Sequence, residues 1–136
     1  MLELTMAVTA GGDTGETAAM SMAEAGSEPG AVLRVGRDAS VCRLVIPQDW
    51  LFVSRVHLEF RCGPDGAWSV FWLRGSQDDP ASEVRVRFGE HKPGTTGRPV
   101  AYGGVVALPR GSSGEVLVAD RGGPRSVHVG FCHELT

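Results

Sequence analysis

The feature that most constrains the fold is a series of short apolar segments, each closed by glycine, proline, aspartate or serine. In the clearest segment, residues 83–88, valine and phenylalanine alternate with arginine, which places apolar side chains on one face and charged ones on the other. Turn sequences such as Gly63-Pro64-Asp65-Gly66 separate the segments. Loops this short favour antiparallel neighbours, because a parallel crossover needs about a dozen residues or more. The sequence therefore predicts an all-β, antiparallel β-sandwich.

About ten strands are predicted from this pattern. They cover residues 2–8, 31–35, 43–46, 56–61, 68–73, 83–88, 99–102, 105–108, 115–119 and 126–131. The stretch from 10 to 30 is rich in glycine and alanine, and we predict a long flexible loop there. A chain of 136 residues lies in the size range of one domain, so we expect a single domain over residues 1–136.

Charge and composition argue against several classes of partner. The net charge is −3, from 13 Lys and Arg against 16 Asp and Glu, whereas binding to a nucleic-acid backbone normally needs a basic domain. We therefore expect no nucleic-acid partner. No apolar run is long enough to span a membrane, and the N-terminus lacks the basic and apolar pattern of a signal peptide. We expect a monomer in the cytoplasm with no membrane partner.

The cysteines give no sign of a disulfide framework or a metal site. Cys42, Cys62 and Cys132 are odd in number and show no C-x-x-C spacing. We predict that all three are buried free thiols, and that the protein holds neither a metal nor a cofactor.

Two polar clusters lie at the ends of predicted strands, where loops on a rigid scaffold often carry binding residues. Gly36-Arg37 directly follows the strand at 31–35, and the sequence Ser-Arg-Val-His at 54–57 leads into the strand at 56–61. A phosphorylated threonine carries about −1.5 to −2 charges and three acceptor oxygens. Guanidinium groups and a serine hydroxyl are suitable donors for such a group, so these clusters are the candidate binding site.

With this order of motifs, the chain resembles the forkhead-associated (FHA) domain family, in which a strand ends in Gly-Arg and Ser-x-x-His follows at a comparable distance. The resemblance continues through a tryptophan-containing strand at 68–73 and alternating strands up to one bearing Phe131, and it covers roughly residues 2 to 132. It implies a β-sandwich that binds phosphothreonine-containing proteins, such as Ser/Thr kinase substrates, in signalling.

The resemblance also implies roles for individual residues. Arg37 and Ser54 would contact the phosphate, and Arg55 would help to hold the peptide. Gly36 and His57 would support the loops from inside the fold, so the histidine has no catalytic role in this interpretation.

The chain departs from the family at a fourth motif, Ser-x-Asn-Gly, where it has Ser76, Gln77, Asp78 and Asp79. Ser76 matches as a supporting residue. The family's asparagine hydrogen-bonds the peptide main chain as both donor and acceptor, whereas an ionised Asp78 only accepts. The lost bond and the added negative charge would cost about ten- to a hundredfold in affinity. Alternatively, Gln77 replaces the asparagine, because its amide both donates and accepts. The sequence leaves both open as peptide-binding residues.

Two rival functions remain to be weighed. In an enzyme, Ser54 and His57 would act as nucleophile and base, but along an extended chain they lie about 10 Å apart, and no orienting carboxylate is evident. We therefore predict no catalytic residues and no enzymatic activity. The stronger rival is a phosphate-independent FHA-like scaffold or interaction domain whose phosphopeptide pocket has decayed.

Overall fold

The computed structural model describes residues 1–10, 17–89 and 97–134, and it contains eleven β-strands. The strands are β1 Leu2–Thr9, β2 Thr17–Ala25, β3 Val32–Gly36, β4 Leu44–Val45, β5 Leu58–Cys62, β6 Trp68–Trp72, β7 Ser82–Phe88, β8 Arg98–Pro99, β9 Val105–Leu108, β10 Ser113–Asp120 and β11 Ser126–His133. These described ranges contain no helix, and therefore none with the length and apolarity of a membrane span.

The strands form two sheets that share one hydrophobic core. The six-stranded sheet has the order β2-β1-β11-β10-β7-β8, and the five-stranded sheet has the order β4-β3-β5-β6-β9. Buried and exposed side chains alternate along β1, where Leu2, Leu4, Met6 and Val8 point into the core. The predicted all-β sandwich is confirmed, with eleven strands rather than ten.

The core draws large side chains from both sheets. Trp68 and Phe60, from the five-stranded sheet, are fully buried, and so are Val116, Val118 and Val129 from the six-stranded sheet. Burying a side chain of this size stabilises a fold by roughly 1.5–3 kcal/mol relative to leaving it in water. The core thus holds in place the strand ends from which the loops of the functional site extend.

The prediction of a flexible loop over residues 10–30 is wrong for β2. This strand pairs antiparallel with the whole length of β1, with one register shift near its start. Its inward side chains, which include Ser21, Ala23 and Ala25, are small, so the strand lacks the pattern of large apolar residues that marks the other strands. Residues 11–16, which belong to the same predicted loop, lie outside the described part of the chain.

The contact between β3 and β4 is an exception to the predicted antiparallel pairing. The last two residues of β3 pair in parallel with the two residues of β4. The connection is short because residues 38–42 form a tight turn, in which the Cys42 N–H donates to the carbonyl of Asp38 at 2.9 Å. The pairing holds Gly36 at the end of β3, so that Arg37 begins the following loop.

The other predicted strands are present with ends that differ by a few residues, as is usual for such boundaries. The largest difference concerns the strand predicted at 99–102. The structure forms only the two-residue strand β8 there, and Tyr102 lies in the connection that follows.

Candidate functional site

Four loops line a cleft of about 520 Å³. They follow β3, precede β5, connect β6 to β7 and connect β8 to β9. Six predicted site residues line this cleft, namely Arg37, Ser54, Arg55, His57, Ser76 and Gln77. The remaining lining residues are Leu51, Phe52, Val53, Val56, Gly75, Pro80, Ala81, Ser82 and Tyr102. Motifs that are distant in the sequence therefore meet around one cavity.

Gly36 allows the first two loops to touch. A Cβ atom at this position would overlap the carbonyl oxygen of Arg55 and would lie 2.8 Å from the Cα of Val56. The loops are also joined by main-chain hydrogen bonds, from Arg37 N to Ser54 O at 3.3 Å and from Asp38 N to Arg55 O at 2.9 Å. Glycine is therefore required for close backbone approach here, which is consistent with the supporting role that the family resemblance implies.

His57 braces the cleft from below, and it is only 2% exposed. Its Nδ1 accepts from the Ser54 main-chain N–H at 3.0 Å, and its Nε2 lies 3.2 Å from Ser82 Oγ. Burial lowers the pKa of His57 to about 4. The ring is therefore neutral at pH 7, and it packs against the Trp72 ring at a centroid distance of 5.9 Å.

The Arg37 guanidinium is held in place by main-chain carbonyls. Its Nε donates a hydrogen bond to Val53 O at 2.6 Å, and its Nη1 donates one to Gln48 O at 3.1 Å. The Gln48 side-chain amide donates in turn to the carbonyl of Arg37. No described residue accepts a hydrogen bond from Nη2, so the outer side of the guanidinium can still donate to a ligand in the cleft.

Ser54 and Arg55 present the other polar groups of the cleft. The Ser54 hydroxyl has no hydrogen-bond partner among the described residues, and a Cβ on Gly75 would lie only 3.6 Å from it. Arg55 is exposed, and its guanidinium makes no hydrogen bond within the described ranges. Hydrogen bonds from Ser40 and, more weakly, the charge of Arg55 hold the pKa of Asp38 below its usual range. Arg55 is therefore a solvent-exposed cation at the mouth of the cleft, whereas the Arg37 guanidinium is held by hydrogen bonds.

The loop between β6 and β7 is held by a residue that the sequence analysis did not assign to the site. The Tyr102 hydroxyl accepts from Gly75 N at 2.7 Å and donates to Gln77 O at 3.0 Å. Its ring packs against Trp72 and under the guanidinium of Arg74. Tyr102 is the sole tyrosine of the chain, and this is the sequence feature that could have marked it as a candidate site residue.

Asp78 lies outside the cleft, although it was a candidate for binding the peptide. It lines a neighbouring cavity of about 410 Å³, on the other side of the β6–β7 loop. Asp79 is turned toward Arg121, whose Nη1 lies 3.0 Å from its Oδ1 and 3.2 Å from the carbonyl of Pro80. Of the residues that replace the family's asparagine, the structure therefore brings only Gln77 to the cleft.

The cysteines differ in part from the prediction. All three are free thiols, but only Cys42 and Cys62 are buried, while Cys132 is exposed on β11. Burial raises the pKa values of Cys42 and Cys62. The described residues include no group of three or more His, Cys, Asp or Glu side chains placed to hold a metal ion.

Comparisons with known proteins give matches of structure but not of sequence. No protein-family model matches the chain, and no curated protein gives a significant match. An engineered FHA domain solved with Myc-pTBD peptide is 15% identical, with a TM-score of 0.58 over 98% of this chain and 92% of that one. The N-terminal FHA domain of Rad53p from S. cerevisiae, in complex with a phosphothreonine peptide, is 14% identical, with a TM-score of 0.56 over 96% and 93%.

A third solved FHA domain, from the CT664 protein of Chlamydia trachomatis, is 17% identical over 93% of this chain and 95% of that one, with a TM-score of 0.46. The first two similarities extend over nearly the full length of both chains at low identity, so they are similarities of fold. The chain has the fold of forkhead-associated domains.

Proposed function

We propose that this protein is an interaction module that binds phosphothreonine-containing proteins, such as Ser/Thr kinase substrates, in signalling. The observation that carries the proposal is the cleft, where Arg37, from the loop after β3, meets Ser54 and Arg55, from the loop before β5. The structural neighbour from S. cerevisiae with the same fold was solved with a phosphothreonine peptide, which supports this class of ligand.

The donors of the cleft suit a phosphate group. Arg37 is already positioned by Val53 and Gln48, so little side-chain entropy is lost when its Nη2 donates to a ligand. Ser54 adds a hydroxyl with no other partner in the described structure, and Arg55 adds a second positive charge at the rim. The two cations balance the charge of about −1.5 to −2 that a phosphorylated threonine carries, and the hydroxyl donates a further hydrogen bond to it.

The same geometry opposes hydrolysis. His57 binds the main-chain N–H of Ser54 rather than its hydroxyl, so the imidazole is not placed to take the hydroxyl proton. With the pKa of His57 lowered to about 4 by burial, the ring is also a weak base. We therefore propose a binding protein with no catalytic residue.

Gln77 is the residue that we propose for holding the peptide main chain. It lines the same cleft as Arg37 and Ser54, and its main-chain carbonyl is held by the Tyr102 hydroxyl. Asp78 lines the neighbouring cavity instead, which keeps its carboxylate out of the cleft that the phosphate would enter. The cleft thus retains a donor and an acceptor where the family has asparagine.

A titration of peptide libraries tests the proposal. A degenerate phosphothreonine library, with phosphoserine and unphosphorylated controls, is titrated against the protein and its Arg37→Ala, Arg55→Ala and Arg43→Ala variants. Arg43 is an exposed arginine that does not line the cleft, and like Arg55 it makes no side-chain hydrogen bond in the described part, so it is the matched control for a lost charge.

We expect phosphate-dependent binding in about the micromolar to millimolar range, no binding by Arg37→Ala, and a loss of about ten- to a hundredfold for Arg55→Ala. Arg43→Ala should bind as the unmodified protein does. Equal binding of phosphorylated and unphosphorylated peptides would instead favour the phosphate-independent interaction domain. Circular dichroism spectra of the variants verify that each one is folded.

A further inference from the structure

β2 is an edge strand with few of the usual protections of an edge. Its irregularity is the register shift against β1 near Thr17. It pairs with β1 on one side, and no other described strand pairs with its opposite side. The strand is nine residues long, contains no proline or lysine, and carries one charge, Glu24. Natural sheets usually keep edge strands short, or place charges, proline or bulges on them, because an open edge recruits other strands.

Side chains of β2 are also left without partners. Met20 and Met22, on the outer face, are 69% and 78% exposed. The hydroxyl of Ser21 is buried and has no hydrogen-bond partner in the described part of the protein. A buried hydroxyl without a partner is unfavourable, and it is unusual in a complete structure.

We propose that β2 pairs antiparallel with β2 of a second copy of this chain, which joins two six-stranded sheets across a twofold axis at Ser21. Ser21 is the middle residue of Thr17–Ala25, and an axis at this position pairs residues 19–23 of each strand, which lie beyond the register shift near Thr17. Residues directly opposite each other in a sheet lie on the same face. The register meets this condition, because Met20 faces Met22 of the second copy on the outer face.

Charge and hydrogen bonding both fit this register. The two Glu24 residues of the dimer are separated by about 20 Å along the strands, beyond the range of unscreened repulsion. On the axis, the two Ser21 residues face each other with Cβ atoms about 5 Å apart, a distance at which cross-strand hydroxyls form hydrogen bonds. The dimer therefore supplies the partner that the buried hydroxyl lacks.

The dimer leaves the cleft open, because no residue of β2 lines it. The proposal therefore stands independently of the proposed peptide binding. It replaces the monomer that we expected from the sequence.

Sedimentation equilibrium measures the assembly directly. We expect the mass of the unmodified protein to rise with concentration from 14.4 kDa toward twice that value. Met22→Lys should stay monomeric, because it places a charge where two methionines meet. The matched control is Val105→Lys, at an exposed valine of β9, the edge strand of the other sheet, and it should dimerise as the unmodified protein does.

Disulfide trapping tests the register. In a Cys132→Ser background, which removes the exposed thiol, Ser21→Cys should form a covalent dimer under mild oxidation, whereas Glu24→Cys should not, because its partner thiol is distant. Circular dichroism verifies that both variants are folded. A monomer at every concentration, equal dimerisation of Met22→Lys and Val105→Lys, or equal trapping at positions 21 and 24 would overturn the proposal.

Discussion

The main-chain N–H of Ser54 donates a hydrogen bond to Nδ1 of His57, at 3.0 Å. Because Nδ1 accepts, the ring proton resides on Nε2, which donates to Ser82 Oγ at 3.2 Å. The neutral imidazole therefore uses both nitrogens to tie the loop before β5 to the start of β7. Protonation of Nδ1 would remove its acceptor and break the bond to Ser54.

This arrangement predicts a loss of stability in acid. Burial lowers the pKa of His57 from 6.5 to about 4. Between these two values the unfolded chain binds more protons than the folded one, so the free energy of unfolding rises with pH. The contribution is fully present above pH 6.5, and roughly 3 kcal/mol of it is lost as the pH falls from 6.5 to about 4. Denaturant unfolding at a series of pH values measures the change.

His57→Asn provides the comparison for this prediction. Its side-chain oxygen can accept the Ser54 N–H, but the residue does not titrate. The variant is less stable at pH 7, and we expect its disadvantage to shrink by about 3 kcal/mol as the pH approaches 4. Carboxylates affect both proteins equally, so parallel pH profiles would contradict the burial of a neutral ring at this position.

Because the backbones approach so closely at Gly36, adding a single methyl group at this position should push the loop after β3 away from the loop before β5. In Gly36→Ala, the Cβ would overlap the carbonyl oxygen of Arg55, so a backbone shift is required. We expect a loss of about 1–3 kcal/mol in the free energy of unfolding, together with weaker phosphopeptide binding. Gly26→Ala is the matched control, because no atom lies within 4 Å of a Cβ there. Thermal unfolding and peptide titration of both variants measure the difference.

The fold could be predicted from the sequence where the strands have a regular pattern of apolar side chains. β7 is an example, because Val84 and Val86 point inward and Arg85 and Arg87 point outward, and the observed strand differs from the predicted one by one residue at its start. This pattern is local, so the sequence displays it directly. The supporting role of Gly36 came from the resemblance to the FHA family, because its close approach to the Arg55 backbone joins positions that are distant in sequence.

Other features depend on contacts between residues that are distant in sequence. β2 was missed because its inward positions hold small side chains, and its pairing with β1 is what makes it a strand. The hydrogen bond between Gly75 N and the Tyr102 hydroxyl joins positions in different loops, and no local sequence pattern predicts it. Whether Asp78 or Gln77 enters the cleft depends on the path of one loop, which that tyrosine helps to fix.

Tyr102→Phe should loosen the β6–β7 loop without disturbing the core. The variant keeps the ring that packs against Trp72 at 5.1 Å, but it loses the hydroxyl that binds Gly75 N and Gln77 O. Both bonds are exposed, so we expect a cost of about 1–2 kcal/mol in stability and a severalfold loss of peptide affinity. The preference for phosphorylated over unphosphorylated peptide should persist, since Arg37 and Ser54 are unchanged. A variant that loses this preference would show that the tyrosine contacts the phosphate itself.

Substitutions at two neighbouring residues of the loop test which of them holds the peptide. Gln77 lines the cleft and Asp78 lines the cavity beyond the loop. Gln77→Ala removes one donor and one acceptor, so we expect a loss of about threefold to a hundredfold in phosphopeptide affinity. Asp78→Ala should change the affinity by less than about twofold, because its exposed carboxylate is screened from the phosphate. Titration of the same peptide at two salt concentrations separates a lost hydrogen bond from a changed charge interaction, since only the charge interaction varies strongly with salt. A gain in affinity for Asp78→Ala at low salt would mean that its carboxylate faces the phosphate, as the family's asparagine position implies.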